Sequence, residues 1–296
     1  MDNSNVVFLV LDSLRKDRVS VYNNQINFTP NMEEIANNSR VYLNANAQAP
    51  WTLPSVTSIF TGKYPWEHGA THGHGYYTGS EKLLAERFEE EGYQTKLATP
   101  NVWISETAGN IDGFENVENF LGLASREPFK TIMKKGNRAF SYLPVGFRGK
   151  IMDFFTSVQT RFLDKVSSID SEKTIKDGIN FLEDIEEDEN FFLFMNILSP
   201  HEPYHNGNPP EKYLKKHNVD IEKVPATEKE YFQREDVDLE EFRKAYNAAA
   251  DYTDDLVGKL QEAIERNNLE ENTYFVIISD HGQALGQDGL FGHQFT

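Results

Sequence analysis

Three short apolar runs, each ending in residues with oxygen or imidazole side chains, constrain the fold of this chain most strongly. The runs are NVVFLVLD at residues 5–12, NFFLFMNILSP at 190–200 and NTYFVIISD at 272–280. Each is too short for a typical helix and is rich in β-branched or aromatic residues, which predicts buried strands of a parallel sheet. QTKLAT at 94–99 and SRVYLNANA at 39–47 are predicted as further strands.

Segments with apolar residues at helical spacing lie between these strands. The alternation predicts an α/β fold, in which a doubly wound, mostly parallel sheet forms the middle of three layers. A hydrophobic content of 39% in 296 residues is enough for a substantial core. We expect one domain over residues 1–296 that contains a helical insertion at 105–170, within which basic residues alternate with Phe, Tyr and Met over 124–168.

Composition excludes several classes of function. A formal charge of −18 repels nucleic acid and anionic membrane surfaces. The absence of cysteine excludes disulfides, thiolate metal sites and a cysteine nucleophile. No apolar run approaches the roughly 20 residues that span a bilayer, and no signal peptide is visible. We therefore expect no membrane span, no nucleic-acid partner and a cytoplasmic location.

Polar residues follow three of the predicted strands at their carboxyl ends. Asp12 follows the first run, His201 the second, and Asp280 and His281 the third, with His293 shortly after. In doubly wound sheets, ligands bind beyond these ends, so the side chains are expected to lie close together. Taken singly, each is more often an ordinary turn or cap residue. Together they predict a site for a divalent ion such as Ca²⁺, Mn²⁺, Mg²⁺ or Zn²⁺.

Thr52 lies in the stretch WTLPSVTSIFTG, where a helix is predicted from Pro54 to Gly62. It would stand just before the helix, whose free N–H groups favour an anion. The local sequence alone favours a helix-cap threonine, but the whole constellation favours a nucleophile. Asn101 follows the strand at 94–99 and so lies at the same carboxyl edge of the sheet as Asp12 and Asp280. We therefore predict that it contacts substrate.

Five motifs in order resemble the sulfatase branch of the alkaline phosphatase superfamily, whose fold is alkaline phosphatase-like. The similarity runs from about residue 5 to 296, with 105–170 unmatched. It is carried by NVVFLVLDSLRKDRVSVY, WTLPSVTSIFTGKYPWEHG, LLAERFEEEGYQTKLATPN, SPHEPY and NTYFVIISDHGQALGQDGLFGH.

The resemblance implies roles for particular residues. Asp12, Asp280 and His281, together with Thr52, would bind one divalent metal, and Thr52 stands at the nucleophile position. His201 and His293 would contact the transferred group or its leaving oxygen, as catalytic and substrate-binding residues. In the phosphotransferase relatives that use threonine, histidines at similar places bind a second zinc, so a second metal is an open alternative.

This chain also departs from the family pattern. Threonine cannot be converted to the formylglycine aldehyde of the sulfatases, and Val56 replaces their arginine. The family normally continues beyond the Gly–His element near the end of this sequence, so we expect a chain that is short at its carboxyl terminus.

The implied function is a metal-dependent hydrolase of sulfate or phosphate esters, acting on a small molecule or a glycan. The alternatives are a transferase of the phosphoethanolamine or phosphoglycerol type and a non-catalytic metal-binding remnant. The sequence makes no prediction of oligomeric state.

Overall fold

A five-stranded parallel sheet in the order β3-β2-β4-β1-β5 forms the centre of the molecule. The computed structural model describes residues 4–71, 77, 79–106, 108–119, 171–186, 189–205, 207–226, 230 and 237–293. The strands are β1 (Asn5–Leu11), β2 (Gln94–Thr99), β3 (Asn116–Asn119), β4 (Phe191–Ile197) and β5 (Thr273–Ile278). β1 pairs with β4 on one side and with β5 on the other, so the first and last predicted strands are neighbours.

Helices cover both faces of this sheet, which confirms the three-layer α/β prediction. One face packs against α1 (Pro30–Asn37), α5 (Ser171–Asp184), α6 (Glu211–Lys216) and α7 (Leu239–Arg266). The other face packs against α2 (Thr52–Thr61) and α4 (Leu84–Glu90), and the short helix α3 (Pro65–His68) packs against α2. A short antiparallel pair, β6 (Ala284–Leu285) and β7 (Phe291–Gly292), follows β5 and brings the chain back on itself.

The sheet has a hydrophobic core on each of its two faces, and successive side chains of the central strands point alternately into one core and the other. In β1, Val7 and Leu9 belong to the cluster beneath α7, whereas Val10 belongs to the cluster beneath α2. In β4, Leu193 and Phe194 divide in the same way, and both are fully buried. Burial on both faces explains why these strands are continuous apolar runs and do not alternate with polar residues.

Two expectations about individual segments differ from the structure. Residues 39–47 form no strand: Tyr42 and Leu43 are exposed in irregular backbone, so these apolar side chains have no core to enter. The helical insertion predicted at 105–170 lies mostly outside the described residues. Its described part, up to Asn119, consists of turns and β3, which extends the sheet beside β2.

Within the part of the chain that the structure describes, no helix is both long and apolar enough to cross a bilayer.

Candidate active site

The carboxyl edge of the sheet gathers side chains from four separate parts of the chain. Asp12 directly follows β1, Asn101 follows β2, and Asp280 and His281 follow β5. Thr52 is the first residue of α2, which begins at this edge and runs back beneath the sheet. All five side chains are buried, so the arrangement is shielded from bulk water.

Asp12, Asp280 and His281 converge so closely that one atom of each lies within 4.8 Å of the others. We call these three residues the first ligand group. Nε2 of His281 lies 3.3 Å from Oδ2 of Asp280 and 3.6 Å from Oδ1 of Asp12. Two carboxylates and one imidazole, facing a common point, are a donor set suited to a divalent cation.

The hydrogen bonds of His281 fit the tautomer that a metal ligand needs. Its Nδ1 lies 3.0 Å from the carbonyl oxygen of Gly282, which can only accept a hydrogen bond. With the proton on Nδ1, Nε2 presents its lone pair to a cation between the two carboxylates. A backbone carbonyl that fixes the far nitrogen in this way is the usual partner of a metal-binding histidine.

The two buried carboxylates of the first ligand group favour the binding of a cation. Burial raises the pKa of the Asp12 carboxyl. Burial and the neighbouring Asp12 charge raise the pKa of Asp280 to about 6. Oδ2 of Asp280 is buried and has no hydrogen-bond partner of standard geometry in the described ranges, although the nearby Thr52 hydroxyl slightly lowers the pKa of this carboxyl. A carboxylate oxygen in that situation is costly unless a positive charge satisfies it, so these residues fit a divalent metal.

The hydroxyl of Thr52 points into the first ligand group. Its Oγ1 lies 3.3 Å from Nε2 of His281 and 3.5 Å from Oδ2 of Asp12. The structure places Thr52 inside the first turn of α2, one position beyond the cap residue Trp51, whereas the sequence predicted it just before the helix. The helix-cap interpretation does not match this geometry, because the Thr52 hydroxyl faces the two ligand side chains.

A second group of the same chemical kind lies beside the first. His201, Glu202 and His293 each offer a ligand atom within 4.8 Å of the others, and we call them the second ligand group. The ring of His293 stacks on that of His281 at 4.4 Å and meets the ring of His201 at 4.9 Å. The two groups are therefore in contact through these histidines.

The histidines of the second ligand group have opposite protonation preferences. Burial lowers the pKa of His201, but the charges of Glu202 and Asp12 outweigh it and raise the pKa to about 9. Burial and the two neighbouring histidines lower the pKa of His293 to about 2. Without a bound ion, His201 is thus a cation at neutral pH and His293 is a neutral imidazole.

Asn101 lies where the sequence placed it, but its side chain contacts the protein. Its Nδ2 donates to Oδ2 of Asp12 at 2.9 Å, and its Oδ1 accepts from the backbone N–H of Trp103. Both ends of the amide are therefore engaged, and the bond to Asp12 orients that carboxylate.

Several site residues were missed by the sequence interpretation. Oγ of Ser13 donates to Oδ1 of Asp12 at 3.1 Å, and Glu202 accepts a hydrogen bond from Nε2 of Gln283. Oγ of Ser55 donates to the carbonyl oxygen of Asp280 at 2.5 Å. Ser13, Glu202 and Gln283 stand within two residues of predicted ligands at strand ends, and that position was the available signal.

A doubly wound α/β domain that gathers carboxylates, histidines and a helix-terminal hydroxyl at the carboxyl edge of its sheet has the architecture in which such folds bind their ligands. The family model described as Sulfatase matches residues 4–295. The chain therefore belongs to the sulfatase family.

Curated relatives are similar over almost the whole chain at low identity. An arylsulfatase of Clostridium perfringens is 23% identical over 97% of this chain and 64% of its own length. An ulvan-active sulfatase of Formosa agariphila is 25% identical over 97% of this chain and 52% of its own length. The chain thus spans about half to two thirds of the length of these relatives.

Solved structures show the same fold. The phosphonate monoester hydrolase of Agrobacterium radiobacter superposes with a TM-score of 0.64 at 16% identity, covering 96% of this chain and 63% of that one. The periplasmic domain of a phosphoethanolamine transferase from Campylobacter jejuni gives a TM-score of 0.64 at 15% identity, covering 99% and 73% of the two chains. At this identity the likeness concerns the fold alone.

Proposed function

We propose that this chain is a metal-dependent hydrolase of phosphate or sulfate esters in which Thr52 is the nucleophile. One observation carries the proposal: the hydroxyl of Thr52 lies within 3.5 Å of both Asp12 and His281, at the amino terminus of α2. A helix amino terminus favours the negative charge that both an alkoxide and a bound ester anion bring.

Asp12, Asp280 and His281 would hold the metal, and the Thr52 hydroxyl is near enough to join them. When bound, a divalent ion lowers the pKa of a neighbouring hydroxyl and polarises the oxygens of an ester. The protein's own part is to fix these donors in a buried position, with Asn101 and Ser13 orienting the Asp12 carboxylate.

Thr52 Oγ1 would attack the phosphorus or sulfur atom of the ester and pass its proton to Asp12, whose Oδ2 it faces at 3.5 Å. The bond from the phosphorus or sulfur atom to the leaving alcohol would break, and His201, which carries a proton at neutral pH, is suited to protonate the leaving oxygen. Water would then cleave the covalent Thr52 ester, giving one proton to the now neutral His201, while Asp12 returns its proton to Oγ1. This step releases phosphate or sulfate and restores the hydroxyl. His293, whose lowered pKa makes it a weak base, would contact the transferred group.

The names of several relatives support a glycan or small-molecule ester as substrate. They include the ulvan-active sulfatase and an N-acetylglucosamine-6-O-sulfatase, which is 30% identical over 36% of this chain. The replacement of the formylglycine precursor by Thr52 favours direct attack by an alcohol in this chain. The functional test therefore includes both sulfate esters and phosphate esters.

A substrate panel tests the proposal. Aryl sulfate, phosphate monoester, phosphodiester and phosphonate would each be incubated with the chain, with Mn²⁺, Zn²⁺, Ca²⁺ or Mg²⁺, or with a chelator. We expect metal-dependent release of the aryl alcohol from at least one ester class. If the folded protein binds metal but cleaves none of the four, it is the non-catalytic metal-binding alternative.

The second candidate function is transfer of a phospho-alcohol group to an acceptor. The second ligand group favours it, because His201, Glu202 and His293 form a further metal-type donor set next to the first. A phosphodiester substrate incubated with an acceptor alcohol separates the two functions. A hydrolase converts the phosphodiester to a phosphate monoester at the same rate with or without the acceptor alcohol. A transferase gives the phosphodiester of the acceptor alcohol as its main product.

A further inference from the structure

The turn that follows β1 contacts every member of the first ligand group. The backbone N–H of Ser13 donates to Oδ1 of Asp280 at 3.3 Å. Its Oγ donates to Oδ1 of Asp12 at 3.1 Å and lies 3.4 Å from Nδ1 of His281. A displacement of Ser13 would therefore shift the surroundings of all three residues together.

The backbone of Ser13 does not adopt this position by its own preference. Its φ is +63°, in the left-handed region that serine with its Cβ rarely enters. Ser13 is also completely buried, so no water is available to its backbone groups. A conformation of this kind persists only where surrounding contacts over-determine it, and such residues concentrate at functional sites.

Besides the bonds of Ser13 to the first ligand group, one side chain from the long helix α7 holds this turn. The hydroxyl of Tyr246 donates to the carbonyl oxygen of Ser13 at 2.8 Å and accepts from the backbone N–H of Arg15 at 2.8 Å. Tyr246 is itself fully buried and packs edge-on against Tyr204. The hydroxyl thus closes the turn from both sides, with no contact to the first ligand group itself among the hydrogen bonds of the described residues.

We propose that Tyr246 is a positioning residue for the metal site, acting through the Ser13 turn on Asp12, Asp280 and His281. The inference rests on the proposed function, since it takes these three residues as the metal ligands. Partners behind the ligands of a metal site typically change metal affinity by 10–100-fold when removed. Tyr246 differs from such partners only in acting through a backbone turn.

Tyr246→Phe removes the hydroxyl and keeps the ring, and Tyr252→Phe is the matched control. Tyr252 is buried on the same helix and packs against Tyr213, in the core cluster away from the ligand groups. The melting temperature of each protein would be followed as Mn²⁺ is added to chelator-treated protein. We expect Tyr246→Phe to need about tenfold more Mn²⁺ than wild type for the same rise in melting temperature above its own metal-free value, and Tyr252→Phe to need the wild-type concentration.

Ser13→Gly serves as a second variant. Glycine adopts the positive φ freely and retains both backbone bonds, so only the contacts of Oγ are lost. We expect its Mn²⁺ requirement to rise less than that of Tyr246→Phe. Should Tyr246→Phe be unfolded without metal, the variant is folded in sucrose and Mn²⁺ binding is measured by equilibrium dialysis beside wild type in the same solution. A Kd about tenfold above that of wild type supports the proposal, and an unchanged Kd contradicts it.

Two results would overturn the inference, and they differ from each other. If wild-type protein gains no stability from Mn²⁺ or Zn²⁺, the metal site fails and this inference falls with it. If the wild type responds but Tyr246→Phe loses stability with an unchanged Mn²⁺ requirement, the metal site stands. Tyr246 is then a structural residue only.

Discussion

Oγ1 of Thr52 lies 3.3 Å from Nε2 of His281, although 229 positions separate the two residues in the chain. The contact exists because β1 and β5 are neighbours and α2 starts at the edge where both strands end. Nδ1 of His281 lies 3.0 Å from the carbonyl oxygen of Gly282, an arrangement that leaves the nitrogen facing Thr52 free to bind a cation. This relationship joins the proposed nucleophile to the proposed metal site.

Asn101→Ala should weaken metal binding and leave substrate affinity almost unchanged. The Asn101 amide holds the Asp12 carboxylate at 2.9 Å, so its loss frees that carboxylate to turn. We expect Asn101→Ala to need about a tenfold higher metal concentration than wild type for the same rise in melting temperature. Its KM for substrate at high metal concentration should lie within about twofold of the wild-type value. A raised KM together with an unchanged metal requirement would instead support the substrate contact that the sequence predicts.

His293→Ala should separate the two ligand groups by metal content. His293 belongs to the second group and stacks on His281 without being a member of the first. The leading proposal, in which His201 keeps its proton, predicts one equivalent of zinc in wild-type protein and in His293→Ala, measured by elemental analysis after gel filtration. The transferase alternative, with a second metal, predicts two equivalents in wild-type protein and one in His293→Ala. A single equivalent in wild-type protein, or two in the variant, would contradict a second metal site.

Asp251→Asn should destabilise the protein at neutral pH and less so in acid. Burial alone would raise the pKa of the Asp251 carboxyl, but hydrogen bonds from His217 and Lys216 outweigh it and hold the pKa below 3.8. The stabilisation is therefore present above the unfolded pKa and is lost as pH falls through the lower folded pKa. Urea titrations at pH 7 should show a loss of about 1–2 kcal/mol.

The pH dependence of this difference is the diagnostic observation. Oδ2 of Asp251 lies 2.8 Å from Nε2 of His217 and 2.7 Å from Nζ of Lys216. The gap in unfolding free energy between Asp251→Asn and wild type should shrink between about pH 5 and pH 3. A gap that stays constant over that range would show that the ion pair contributes nothing through its charge.

The central strands and the residues at their ends could be predicted from sequence because both depend on local signals. A run such as Phe191–Ile197 is apolar at every position except Asn196, and the fold buries it on both faces. Once the sheet is parallel, the carboxyl ends of its strands must lie at one edge, which brings Asp12 and Asp280 together.

Other features have no local signal. Residues 39–47 have the composition of a strand, but the sheet offers them no partner among the described strands. Tyr246 lies within a regular helix, and nothing in its neighbours indicates that its hydroxyl reaches Ser13 across 233 positions. The positive φ of Ser13 likewise arises from tertiary contacts that override the preference of serine.

The most direct test of the account is whether Thr52 becomes esterified during turnover. Protein acid-quenched in the steady state, with the best substrate of the panel, would be digested and the peptide that carries Thr52 examined by mass spectrometry. We predict a phosphoryl or sulfuryl group on Thr52 in wild-type protein and its absence in Thr52→Ala, with kcat/KM lower by at least about 10³-fold. Thr52→Ser, which keeps a hydroxyl, should retain the modification. An unmodified Thr52 peptide together with near wild-type activity of Thr52→Ala would contradict the central claim.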